Sequence, residues 1–266
     1  MSAFRVRGDT LTLLNVMPSG GQFPNSIGVR DGVAYVLNAG GATNVSGFRI
    51  RDDGLEPIPD STRSLGITNT NPPTFLTAPG QVGFTPDGRW LLVTTKATTS
   101  SIEVFQVRGR LLSATPVVNP SATPVPFAFT FGPGGRLVDG EAGGSSVTTY
   151  RIENDGTLAD PQSQSDSQAA LCWIDRAGDF YFVSNTGSNT VSSFRVRADG
   201  QPELVAAVAA TTNPGPIDAV SSGGFLYVET GSTSTVDEFR INGDGTLASI
   251  GSVTGLPPGI EGIAAK

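Results

Sequence analysis

Along the chain, short apolar runs alternate with turn residues at a nearly constant spacing. In the last full unit, Ile217-Asp218-Ala219-Val220 is followed by two glycines and then Phe225-Leu226-Tyr227-Val228. A Gly/Ser/Thr turn leads to Val236–Ile241, and Asn242-Gly243-Asp244-Gly245 leads to Leu247–Val253. Runs this short, bounded by Gly, Asn and Asp, read as strands. The Asn-Gly-Asp-Gly step marks a hairpin, because glycine takes a positive φ without a Cβ clash. We label the four strands of such a unit A to D. No segment sustains apolar positions at i, i+3, i+4 and i+7 over more than about ten residues, so helices are not predicted.

The same unit recurs. An aromatic residue near the end of strand C falls at Phe4, Phe48, Phe105, Tyr150, Phe194 and Phe239, with gaps of 44, 57, 45, 44 and 45 residues. A period of about 45 is that of a four-stranded propeller blade. The predicted fold is therefore an all-β propeller of four-stranded antiparallel blades, one domain over residues 1–266. An ordinary β-sandwich would not account for matched repeats. Five blades are complete. Residues 2–7 and 10–16 read as strands C and D of a sixth, and "GIEGIAAK" (Gly259 to Lys266) reads as its strand A. A blade built from both chain ends would leave fewer open sheet edges. It lacks a strand B, so Met1 reads as a late start with about one and a half blades missing upstream, the alternative being a natural short propeller. The 57-residue gap places an insertion loop at residues 63–80, on a D–A connection.

Composition narrows the function classes. Of 266 residues 34 are Gly and 19 are Pro, the net charge is −7, and there is no histidine. Nucleic acid and anionic membranes are disfavoured as partners. A Ser-His-Asp triad and histidine-based zinc sites are excluded. No run approaches the ~20 apolar residues of a membrane span, and no signal peptide opens the chain. As it stands the chain reads as cytoplasmic, or as secreted if an N-terminal segment precedes it, and as a monomer or weak dimer. The single cysteine, Cys172, sits in an apolar inner strand and reads as a small core residue. Arg5, Arg49, Arg151, Arg195 and Arg240 recur at one outer-strand position, which distributes them round the rim.

Candidate chemistry lies where the repeat is broken. At the end of strand B, Asn38 and Asn185 are expected turn formers, but Thr95 or Lys96, Glu141 and Glu229 stand in the matching places. Along strand A the matching positions carry Ser26, Gln81, Phe127, Cys172, Asp218 and Glu261. In a propeller both sets converge at one channel mouth. That predicts an acidic pocket of Glu141, Glu229, Asp218 and Glu261, partnered by Lys96 and Gln81. Crowded carboxylates raise at least one pKa and supply a general acid or base near neutrality. No cofactor is required, although the same oxygens suit Ca²⁺ or Mg²⁺. Side chains that merely bond neighbouring turns would give the same pattern. The loop 63–80, with Phe75, could lie over the mouth as a lid.

"YVLNAGGATNVSGFRIRDDGLEPIP", "FTPDGRWLLVTTKA" and "GGFLYVETGSTSTVDEFRINGDGTLASIGSV" resemble the lactonase-type seven-bladed propellers. These include propeller 6-phosphogluconolactonase and the 3-carboxy-cis,cis-muconate lactonizing enzymes. The likeness spans essentially the whole chain through turns, the Phe-Arg step and Asp-Gly hairpins. It implies hydrolysis or isomerisation of a small-molecule lactone at the channel mouth. Glu141 would activate water, Glu229 or Asp218 would be its acidic neighbour, and Lys96 would steady the oxyanion. Asn38, Gln81, Asn185, Asp218, Glu261 and Phe75 would contact substrate. Lactonizing members use histidine, glutamate and arginine, and this chain has only the last two. The alternative is a non-catalytic propeller that binds a protein or carbohydrate.

Overall fold

The computed structural model describes residues 1–265 and is all-β, with five blade sheets among the described residues. The chain divides into two compact units, Met1–Pro120 with Asp155–Thr157, and Ser121–Asn154 with Leu158 onward.

The first unit opens with a two-stranded hairpin, β1 (Ser2–Arg7) and β2 (Thr10–Val16). Blade 1 follows as β3 (Gln22–Arg30), β4 (Val33–Gly40) and β5 (Ala42–Arg51). Its outer strand comes in two pieces, β6 (Gly54–Pro57) and β7 (Arg63–Thr68), both paired with β5. Blade 2 repeats this plan with β8 (Val82–Phe84), β9 (Trp90–Thr94), β10 (Ser101–Arg108), β11 (Leu111–Leu112) and β12 (Val117–Pro120).

The second unit holds three regular blades. Blade 3 is β13 (Pro126–Phe131), β14 (Leu137–Glu141), β15 (Ser146–Ile152) and β16 (Leu158–Ser165). Blade 4 is β17 (Leu171–Ala177), β18 (Phe180–Asn185), β19 (Thr190–Val196) and β20 (Pro202–Thr211). Blade 5 is β21 (Pro216–Ser222), β22 (Phe225–Thr230), β23 (Thr235–Ile241) and β24 (Leu247–Val253). Each is antiparallel in the order A-B-C-D.

Burial explains the sequence pattern. The B strands β4, β9, β14 and β18 are buried at every residue and covered on both faces, so that even Asn38, Asp139, Glu141 and Asn185 lie inside. The last strand of blade 5 is mostly exposed. Between blades 4 and 5 the core is Phe180, Phe182, Val191, Ala219, Leu226, Val228 and Phe239. Cys172 is 4 % exposed within the neighbouring core, as a small apolar residue would be.

Two expectations change. The C-terminal segment from Gly259 forms no strand among the described residues, with Lys266 outside them; instead Ile263 N–H donates to Asp218 Oδ2 at 3.2 Å. The span 63–80 is not all loop, since its first six residues are β7. Only 69–80 is an irregular connection.

Candidate functional site

Strand pairing, not glycine position, decides which B-strand residues are equivalent. Asn185 pairs with Thr190 in blade 4, Glu141 with Ser146 in blade 3, and Thr230 with Thr235 in blade 5. Glu229 is one residue earlier and pairs with Val236. A shift of one residue puts a side chain on the other face of the sheet. Glu141 and Glu229 therefore do not share a repeat position. No hydrogen bond or charge coupling among the described residues links them.

Glu141, Asn185 and Asn38 form one recurring device. Glu141 is fully buried, and Oε2 accepts from Thr123 N–H at 3.2 Å, from Thr123 Oγ1 at 2.5 Å and from Thr148 Oγ1. Tyr150 donates its hydroxyl to Oε1. In the same place Asn185 Nδ2 donates to Thr190 Oγ1 and Ser192 Oγ, and Asn38 Nδ2 to Ser19 O and Asn44 Oδ1. Each ties the end of strand B to strand C or the preceding connection. Burial pushes the Glu141 carboxyl up, while the bonds from Thr123, Thr148 and Tyr150 pull it down. Three donors reach Oε2 and one reaches Oε1, and the carboxylate is closed to solvent. This geometry is that of a latch between strand B, strand C and the preceding connection. Beside it Asp139, which the sequence reading missed, is fully buried with both oxygens unpartnered. Burial first, then the Glu141 charge, holds Asp139 protonated well above the usual carboxylate range.

Lys96 and Phe75 belong together in the first unit. Lys96 is 4 % exposed, its Nζ donates to Phe75 O at 3.0 Å, and it lies 4.2 Å from the Phe75 ring centroid. Ala97 N–H donates to Leu76 O, Thr98 Oγ1 to Thr77 O, and Asn25 Nδ2 to Pro79 O. These bonds fasten the connection 69–80 down, so it is an anchored loop rather than a free lid. Gln81 sits at its end, exchanging bonds with Thr94 through its own backbone.

The acidic residues that do converge are in blade 5. Asp218 and Glu229 are cross-strand partners, a relation that sets Cβ atoms about 5 Å apart. They are 7 % and 2 % exposed. Asp218 Oδ1 accepts from Ala219 N–H at 2.7 Å and Oδ2 from Ile263 N–H. Glu229 accepts from Gly262 N–H, and its Oε2 has no partner. The segment around Gly262 and Ile263 thus lies over the pair. Asp218 is pushed up to about 7, chiefly by burial, with the Glu229 and Asp175 charges adding to it against the two backbone bonds. Glu229 is raised by burial and then by the charge of the exposed Glu261. Asp175, also missed, accepts Ser221 N–H at 2.7 Å and is raised by burial. It lies two residues beyond Trp173 on β17, and that alternation was the available signal.

A family model described as a seven-bladed β-propeller lactonase matches residues 1–259. The chain belongs to this lactonase family. Among solved structures, a candidate 6-phosphogluconolactonase of Bacteroides fragilis aligns with a TM-score of 0.78 at 22 % identity, over 97 % of this chain and 78 % of its own. One from Bacteroides uniformis gives 0.75 at 19 %, over 97 % and 79 %. The periplasmic gluconolactonase PpgL of Pseudomonas aeruginosa gives 0.62 at 16 %, over 97 % and 93 %. At these identities the likeness concerns fold alone. A comparison with curated proteins found no significant match. Within this lactonase propeller, no group of three or more potential His, Cys, Asp or Glu ligands is placed to hold a metal ion among the described residues.

Proposed function

We propose that the protein opens an uncharged sugar lactone at the Asp218–Glu229 pair. The supporting observation is two cross-strand carboxyl groups shielded from water, both raised by burial and Asp218 to about 7. Ring opening needs one group to take a proton from water and another to give one to the ring oxygen. With its pKa near 7, Asp218 is partly protonated at neutral pH and serves as the acid, while the Glu229 carboxylate, whose charge helps to raise Asp218, takes the water proton. The water oxygen bonds to the carbonyl carbon, the acyl C–O bond breaks, and Asp218 donates its proton to the departing ring oxygen. Return of a proton from Glu229 to Asp218 resets the pair, with one water consumed. Substrate entry displaces the segment around Gly262 and Ile263.

The acidic setting favours an unphosphorylated substrate. Two like unit charges ~6 Å apart at an effective dielectric of ~20 repel by about 3 kcal/mol. That is roughly a hundredfold in affinity against a 6-phosphate. The test is hydrolysis of D-glucono-δ-lactone and its 6-phosphate by the wild type and Asp218→Asn, after subtraction of the spontaneous rate. A fall of ~100-fold or more in the variant is expected, with the unphosphorylated lactone preferred. Retention of wild-type turnover by Asp218→Asn would remove the pair from the mechanism.

A further inference from the structure

Two clefts open on the side of the blades that carries the A–B and C–D turns. One, of about 180 Å³, lies in the first unit between Arg30, Tyr35, Phe84, Gly88 and Arg110. The other, of about 550 Å³, lies in the second between Ala177, Asp179, Phe180, Ser222, Asn242 and Gly243. Both occupy the same place in the repeat, between the A–B turn of one blade and the A–B and C–D turns of the next. One strand position separates them. Arg30 ends β3 and pairs with Val33 across its turn, and Ala177 ends β17 and pairs with Phe180 across its own.

In blade 1 that position carries the plug. Arg30 Nη1 donates to Thr85 O at 3.2 Å and Pro86 O at 2.6 Å in blade 2, and a Cβ placed on Gly88 would meet its Nε at 2.3 Å. Between blades 3 and 4 a different position fills the place: Arg136, at the end of the A–B turn, puts its guanidinium carbon 2.4 Å from where a Gly200 Cβ would stand and donates to Asp160 of its own blade. Between blades 4 and 5 the position is alanine and the groove stays open. Arg176 borders it but does not fill it. One residue earlier on the strand, it faces the other way. Its Nη1 donates to Phe131 O at 3.0 Å in blade 3, its Nε to Gly178 O, and its guanidinium lies 5.6 Å from the Tyr181 ring.

The opened groove has walls of a definite chemistry. They offer the Asp179 carboxylate, the Ser221 and Ser222 hydroxyls and the Asn242 amide, beside Phe180 and Ile241. Its turns are thinned by glycine, since a Cβ on Gly178, Gly223, Gly224 or Gly243 would meet nothing within 4 Å. The nearby cations are committed, Arg176 as above and Arg195 against the Phe180 ring at 4.4 Å. The volume falls in the range of small-molecule sites, which combine apolar walls with a few polar groups. We infer that the cleft between the turns of blades 4 and 5, vacated by the alanine at position 177, binds an uncharged sugar ring. A lone carboxylate and neutral donors suit vicinal hydroxyls, and would repel a phosphate or sugar acid. The cleft is at the far end of β21 from Asp218, so it is separate from the lactone site.

Saturation-transfer NMR titrations with D-glucose, D-galactose, D-xylose and N-acetyl-D-glucosamine test this, with glucose 6-phosphate as the anionic control. At least one neutral sugar should bind in the millimolar range. Ala177→Arg, which restores the plug, and Gly243→Trp should each weaken it at least tenfold, while Asp218→Asn leaves it unchanged. Thermal unfolding checks that the variants fold; should both bulky variants misfold, Asp179→Asn decides, with at least a threefold loss expected. No binding by any of the sugars, preference for the phosphate, or binding undiminished in the folded variants overturns the assignment.

Discussion

Replacing Glu141 with glutamine keeps the shape of the side chain and removes its charge, so it tells a latch from a base. Glutamine can still accept at one oxygen, from Thr123 and Thr148, while Tyr150 turns its hydroxyl to accept from the amide. What is lost is the charge-assisted part of about three bonds, roughly 1 kcal/mol each. It is offset in part because a buried charge no longer has to be desolvated. A net loss of about 1–3 kcal/mol follows. Alanine instead leaves Thr123 N–H and three hydroxyls facing a void, which costs about 3–6 kcal/mol. At about 2–4 °C per kcal/mol for a chain of this size, Glu141→Gln should melt roughly 2–12 °C below the wild type and Glu141→Ala roughly 6–24 °C below it. Circular dichroism melts and urea titrations measure both. Turnover per folded molecule of Glu141→Gln should stay within about twofold. Wild-type stability combined with lost turnover would refute the latch and restore Glu141 as a catalytic candidate.

Further outcomes follow from other buried groups. Glu103 is 3 % exposed and is pushed up to about 7 by burial alone. Its folded pKa exceeds its unfolded one, so its contribution is present below about pH 4.5 and is lost as pH rises toward 7. Glu103→Gln should therefore be more stable than the wild type at pH 8 and close to it at pH 4 in urea titrations; a less stable variant at pH 8 contradicts this. Lys96→Met removes the bond to Phe75 O, so hydrogen exchange should quicken across residues 74–79 only, and unchanged protection there would count against the anchor. Gly262 has φ 102°, a region costly to any residue with a Cβ. Gly262→Ala should loosen the cover on Asp218 and lower its pKa in carboxyl NMR titrations; an unmoved Asp218 would show that the segment does not shield it.

The blades were legible because each unit carries its own hairpin signals and because apolar runs such as Trp90-Leu91-Leu92-Val93 mark buried B strands. Errors came from register. Matching Gly187 with Gly231 set Glu229 opposite Asn185, whereas matching Val191 with Val236 sets Thr230 there, as the strands do. Glycine can move one place within a five-residue turn at little cost, but a strand cannot slip without reversing its faces. The split outer strands were hidden for a different reason. β7 pairs with β5 only after the detour 58–62, where Ser61 accepts Gly47 N–H at 3.0 Å. Asp218 and Glu229 were visible as departures from the repeat. That backbone N–H groups of Gly262 and Ile263 would cover them depends on a tertiary contact with no local signature.

The pH dependence of kcat/KM on an uncharged sugar lactone, with the spontaneous rate subtracted, bears most directly on the carboxylate pair. A falling limb with an apparent pKa near 7, absent together with the catalysis in Asp218→Asn, is the predicted result. A profile flat from about pH 5 to 8, or one that Asp218→Asn leaves unchanged, would contradict it.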